Sequence, residues 1–144
     1  MQVNRIVVGI DGSKGSQLAL EWAVAEARQR GAVLCVVHAW HPPYVSAYPL
    51  GPAQTNPQIY ENLARQVLDD SLASVDTDGL AGPIEKAVVT GGAAAGLLQA
   101  AKDADLVVVG ARGLGGFMGL VLGSVSSQVV HHAPCPVVVV PERD

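Results

Sequence analysis

Gly110-Ala111-Arg112-Gly113-Leu114-Gly115-Gly116-Phe117-Met118-Gly119-Leu120-Val121-Leu122-Gly123-Ser124-Val125-Ser126 holds six glycines in seventeen positions. It begins where the apolar block Leu106 to Gly110 ends, and it leads into Ser124 to His132, a helical stretch that Pro134 closes. Strand, glycine-rich turn and helix in that order make one β-loop-α unit. Glycine lets the backbone pass close to a ligand, and a helix N-terminus offers free N–H groups and a positive dipole end to an anion. The unit therefore has the outline of a phosphate cradle. Ser124 and Ser126 would add hydroxyl donors, with Ser124 also serving as N-cap of the helix. A glycine-rich loop before a capped helix, with no ligand, is the alternative that the same residues allow.

Outward from this unit the same alternation repeats. Four further apolar, β-branched blocks read as strands: Arg5 to Ile10, Val33 to Ala39, Ile84 to Thr90 and Pro136 to Val140. Most are continuous rather than alternating in polarity, which suits a parallel sheet covered on both faces. Helical segments lie between them. Gly15 to Arg30 carries Leu18, Ala19, Trp22, Ala23 and Ala25 at helical spacing, with Gly31 as its stop. Pro57 to Ser74 is expected to turn Ile59, Leu63, Val67 and Leu68 inward and Glu61, Arg65, Asp69 and Asp70 outward, and a further helix spans Ala93 to Asp103. Alternating β and α elements define a doubly wound α/β layer, expected as one domain over residues 1–144.

Composition narrows the partners. A formal charge of −4 and a pI near 5.4 provide no clustered cations for a polynucleotide. No signal-length segment follows Met1, and no apolar run approaches the roughly 18 residues that span a bilayer, so a soluble, cytoplasmic protein without membrane contact is expected. Cys35 and Cys135 fit no disulfide framework or C-x-x-C spacing and read as reduced, buried thiols. His41 to Asn56 holds four prolines, two tyrosines and a glycine without periodicity, and is either a lid or an ordinary excursion.

Neither G-x-x-x-x-G-K-[ST] nor G-x-G-x-x-G is present. The pattern that is present, G-x-x-G-x(9)-G-[ST], is filled by Gly110, Gly113, Gly123 and Ser124 and resembles the nucleotide loop of ATP-binding universal stress proteins. The resemblance covers the whole chain. Arg5-Ile6-Val7-Val8-Gly9-Ile10-Asp11-Gly12-Ser13 is similar to that family's opening strand and turn, Val36-Val37-His38-Ala39-Trp40 to its second strand, and Ala133 to Val140 to its closing strand. It implies an open five-stranded parallel sheet in the order 3-2-1-4-5 with helices on both faces, the adenine nucleotide alpha hydrolase-like fold. It further implies ATP, with Mg²⁺ on its phosphates, over the carboxyl ends of the strands. By the same resemblance Gly9, Ile10 and Asp11 lie near the nucleoside and Ala39 offers backbone groups to adenine. Gly110, Gly113, Gly115, Gly116, Gly123, Ser124, Val125 and Ser126 would line the phosphates, with Arg112 as a secondary contact. Asp11 alone also reads as the Asp of an Asp-Gly turn beside a helix start. Gly91-Gly92-Ala93-Ala94 departs from the family, many of whose members carry a proline there, and a local effect on helix entry is expected.

Other chemistry is poorly served. His131 and His132 sit at a helix C-terminus, where an imidazolium meets the dipole favourably, and no metal-ligand spacing surrounds His38 or His41. No G-x-S-x-G elbow is present. A receiver domain needs clustered acids after the first strand and a lysine near the last, but Asp11 stands alone and no lysine follows Lys102. A flavodoxin-like site is poorly supported, because the turn Asp11 to Ser16 is only partly hydroxyl-rich and aromatic flanks for a flavin are scarce. In the implied strand order Pro136, Val137, Val138, Val139 and Val140 form an edge, which the family commonly pairs in a homodimer. The sequence thus points to a nucleotide-dependent binding protein of the stress response. A slow ATPase, for which no water-positioning residue is visible, and a nucleotide-independent dimeric scaffold are the alternatives.

Overall fold

The computed structural model describes residues 1–40, 57–112 and 122–142. The elements run β1 (Arg5–Ile10), α1 (Lys14–Arg30), β2 (Val33–Trp40), α2 (Pro57–Ala73), β3 (Glu85–Thr90), α3 (Ala93–Ala101), β4 (Leu106–Gly110), α4 (Ser124–His132) and β5 (Val137–Val140). The strands form one sheet in the order β3-β2-β1-β4-β5, and every pairing is parallel. The expected α/β class and strand order are both observed.

Side-chain alternation along the strands splits the core into two layers. Ile6, Val8 and Ile10 of β1, Leu34 and Val36 of β2, and Leu106 and Val108 of β4 face α1 and α2. Val7, Cys35, Val37, Val107 and Val109 face the opposite way, against Leu97 and Ala101 of α3 and Val129 of α4. Strands covered on both sides must be apolar at successive positions, which is why these blocks lack a polar alternation.

The buried face of α1 consists of Ala19, Leu20, Ala23, Val24 and Ala27. Three alanines on that face bring the helix axis close to the sheet. Ala25, expected inward, is exposed, because it falls off the stripe. Ser13 caps the helix, its hydroxyl oxygen accepting from Ser16 N at 3.2 Å. Gly31 ends it at φ 65°, a left-handed conformation that glycine adopts without steric cost.

In α2 the inward stripe is Ala64, Leu68 and Ser71 with Val67 partly covered. Ile59 and Leu63, expected inward, are 52% and 59% exposed. The stripe is centred on the small Ala64, so Ile59 and Leu63 lie to one side of it. Helix α3 stops at Ala101 rather than Asp103, its last turn tightening as Lys102 N donates to Gln99 O at 3.3 Å. Pro136 precedes β5 but joins the ladder as an acceptor, its carbonyl receiving Val107 N at 3.0 Å.

Candidate functional site

Direct pairing of β1 with β4 runs from Ile6–Leu106 to Val8–Val108 and then stops. Beyond it the chain leaves β1 for α1 on one face, while β4 leads toward α4 on the other. Two central neighbours whose connections depart in opposite directions open a crevice at their carboxyl ends, the usual ligand position of such sheets.

On the β1 side, Asp11 begins a closed turn. Its Oδ1 accepts from Ser13 N at 2.9 Å, Gly12 takes φ 84°, and Asp11 N donates to Ser16 Oγ at 3.2 Å. Ser16 Oγ in turn donates to Ser13 O at 3.0 Å. The turn holds a part-buried carboxylate at the end of β1, and its capping serine is of the type that precedes a helix. Buried His38 of β2 places Nδ1 2.9 Å from Ile10 O. A carbonyl only accepts, so Nδ1 carries the hydrogen and closes the end of β1. The sequence reading assigned His38 no such role.

Gly9 has a packing reason of its own. A Cβ there would lie 2.7 Å from Leu97 Cδ1, so β1 and α3 touch at this point. Ala39 lies one residue past His38, the partner of Ile10, and thus beyond the end of β1. It pairs with Val89 on the β3 side.

The β4 side is built on close backbone contact. A Cβ on Gly110 would stand 2.8 Å from Gly15 O, and one on Gly15 would stand 2.6 Å from Arg112 O. The first turn of α1 therefore lies directly on the end of β4. Next along, Ala111 N donates to Val140 O at 3.0 Å, and Ala111 O accepts from Gly123 N at 2.7 Å and from Ser126 Oγ at 2.8 Å. The two sides of the glycine-rich segment meet at this residue. Gly113, Gly115 and Gly116 lie outside the described residues, as does His41 to Asn56.

Gly123, not Ser124, is the N-cap of α4, with φ −74° and ψ 173°. Ser124 is the first helical residue, because Gly123 O already accepts from Ser127 N at 2.9 Å. Among the described residues no side chain caps this helix. Its first-turn N–H groups, those of Ser124 and Val125 included, meet no side-chain cap among the described residues, and such groups suit an anionic acceptor. Helix α3, which begins after the edge strand β3, also lacks a side-chain cap. At the other end of α4, His131 Nδ1 lies 2.7 Å from Ser127 O in the last turn, a local helical contact.

Among the described residues no group of three His, Cys, Asp or Glu side chains could hold a metal ion, and no helix is long and apolar enough to cross a membrane. Burial pushes the Cys35 thiol above its ordinary pKa, and burial with the nearby Asp105 carboxylate does the same at Cys135.

A parallel five-stranded sheet in the order 3-2-1-4-5, with helices on both faces and a switch point between β1 and β4, defines a doubly wound α/β protein. Residues 2–141 match the model of the universal stress protein family. The chain belongs to the universal stress protein family. Universal stress protein Rv2623 of Mycobacterium tuberculosis is 39% identical over 144 residues, covering 96% of this chain and 48% of that protein. The chain thus spans about half the length of the curated relatives it matches. Among solved structures, a universal stress protein in complex with cAMP is 30% identical with a TM-score of 0.66, covering 97% of this chain and 98% of its own. A universal stress protein family member from Burkholderia pseudomallei is 27% identical with a TM-score of 0.71, covering 98% of both chains.

Proposed function

We propose that this chain binds ATP at the carboxyl ends of β1 and β4 and acts as a nucleotide-dependent regulator through the surface it presents to a partner. The observation that carries the proposal is the N-terminus of α4 beyond the end of β4, whose N-cap is Gly123 and which no side chain caps among the described residues. N–H groups and a helix dipole placed there suit the phosphates of a nucleotide. A relative at 30% identity solved with cAMP supports an adenine ligand for this fold.

In this reading Asp11 and Ile10 meet the nucleoside, and the backbone of Ala39 meets adenine. Gly110, Gly113, Gly115, Gly116, Gly123, Ser124 and Val125 surround the phosphates, with Arg112 as an added cation. Mg²⁺ would travel on the phosphates and neutralise their charge. The chain acts as a cytoplasmic homodimer. Edge strand β5, paired only with β4 in the sheet and carrying four part-buried valines, is the surface that a second copy covers.

Filter binding of labelled ATP to Gly113→Ala and Ser124→Ala tests the assignment. Gly113→Ala crowds the backbone approach and is expected to weaken binding severely, and Ser124→Ala removes one hydroxyl and weakens it modestly. Unchanged binding by both variants would remove the cradle from this segment.

A further inference from the structure

We propose that Ser126 is a positioning residue of this site, whose hydroxyl latches the two ends of the glycine-rich segment together instead of meeting a phosphate. The inference rests on the nucleotide reading above and changes the part that Ser126 plays in it. Ser126 is only 3% exposed. Its Oγ lies 2.8 Å from Ala111 O and 3.1 Å from Gly123 O. Both neighbours are carbonyls, which only accept, and a hydroxyl has a single proton. That proton is directed at the two carbonyls, so none remains to donate to an anion.

Ala111 O is in turn filled by two donors, Ser126 Oγ–H and Gly123 N–H at 2.7 Å. Ala111 lies near the start of the segment and Gly123 near its end. Ala111 is itself buried and fixed to the sheet through Val140 O. The junction therefore has a rigid side, β4 with β5, and a side that the latch must hold, the start of α4. Bringing the ends of a segment together costs chain entropy. When the protein meets that cost before the ligand arrives, the helix N-terminus is already aimed and the ligand binds more tightly.

The test uses the full chain with Ser126→Ala and Ser126→Thr. Hydrogen exchange of the Gly123 amide is measured by NMR without nucleotide, and affinities for Mg-ATP and AMP are measured in parallel. Loss of one buried hydrogen bond is expected to speed Gly123 exchange in Ser126→Ala roughly tenfold. Both affinities should fall by a similar factor, and Ser126→Thr, which retains the hydroxyl, should restore exchange and binding. Weaker ATP binding with Gly123 exchange unchanged would make Ser126 a direct phosphate contact and overturn the inference. Faster exchange with unchanged affinity would also overturn it, because the site would not depend on the latch. If the wild-type chain binds neither nucleotide, the proposed function fails, and the exchange measurement alone decides whether the latch exists.

Discussion

Gly15 and Gly110 touch backbone to backbone: a Cβ on Gly110 would lie 2.8 Å from the Gly15 carbonyl oxygen and 2.9 Å from its carbon. This contact seats the first turn of α1 on the end of β4 and brings the Asp11 turn beside the start of the glycine-rich segment. Real Cβ atoms do not approach backbone so closely, so any side chain at Gly110 must push strand and helix apart. Overpacking of this kind costs about 1–3 kcal/mol, and Gly110→Ala is expected to fall within or above that range. Gly82, with nothing within 4 Å of its Cβ position, is the control. Gly82→Ala should leave the urea midpoint nearly unchanged while Gly110→Ala lowers it clearly. Equal effects would remove the close contact as the reason for glycine at residue 110.

The contrast between the starts of α1 and α4 makes a second prediction. Ser13→Ala removes a side-chain cap and should cost about 1 kcal/mol of stability. Gly123→Asp does the opposite at α4, since φ −74° and ψ 173° are open to any residue and a carboxylate there can accept first-turn N–H groups that no side chain caps among the described residues. Stability should hold or rise in Gly123→Asp while ATP affinity falls by more than about tenfold, the carboxylate filling and repelling the phosphate position. A variant that binds ATP normally would place the phosphates elsewhere.

How much of this was legible beforehand follows from how far apart the interacting residues are. Continuous apolar blocks such as Val33 to Ala39 announced buried parallel strands, and Gly31 announced a helix end, because each depends on neighbours in the chain. The strand order came from resemblance, and the observed sheet agrees with it. The inward face of α2 was legible only in part: Leu68 is buried and Val67 partly covered as expected, whereas Ile59 and Leu63 are exposed. Ile59 and Leu63 fit a helical stripe as well as Ala64, Leu68 and Ser71 do, and the packing of α2 on β2 and β3, which has no signature within the helix itself, selects between them. Ser124 looked like a cap because serine often is one, yet the helix starts one residue earlier than that reading required. The commitment of Ser126 to Ala111, and the pairing of Gly15 with Gly110, are tertiary contacts without a local signature.

The thiols predict a pH dependence. Burial raises both Cys35 and Cys135 in the folded chain, so the unfolded chain loses these protons first as the pH rises. Their contribution is fully present below the unfolded thiol pKa of about 8.5 and is lost as the pH climbs through the folded values. The urea midpoint should therefore fall between pH 7 and pH 10, and the fall should be smaller in Cys35→Ala/Cys135→Ala. An identical slope in the two proteins would show that the thiols do not set it.

The edge position of β5 is tested by sedimentation equilibrium with hydrogen exchange. A mass twice the 14.8 kDa of the chain, with slow exchange along Val137–Val140, is the expected outcome. A monomer with rapidly exchanging β5 amides would refute the homodimer through this strand.

The most direct measurement is a calorimetric titration of nucleotide-stripped protein with Mg-ATP, with AMP in parallel. The account predicts saturable Mg-ATP binding in the micromolar range or tighter, and markedly weaker AMP binding because fewer phosphates reach the α4 N-terminus. No detectable binding of Mg-ATP, or equal affinity for Mg-ATP and AMP, would contradict a phosphate cradle at the switch point of the sheet.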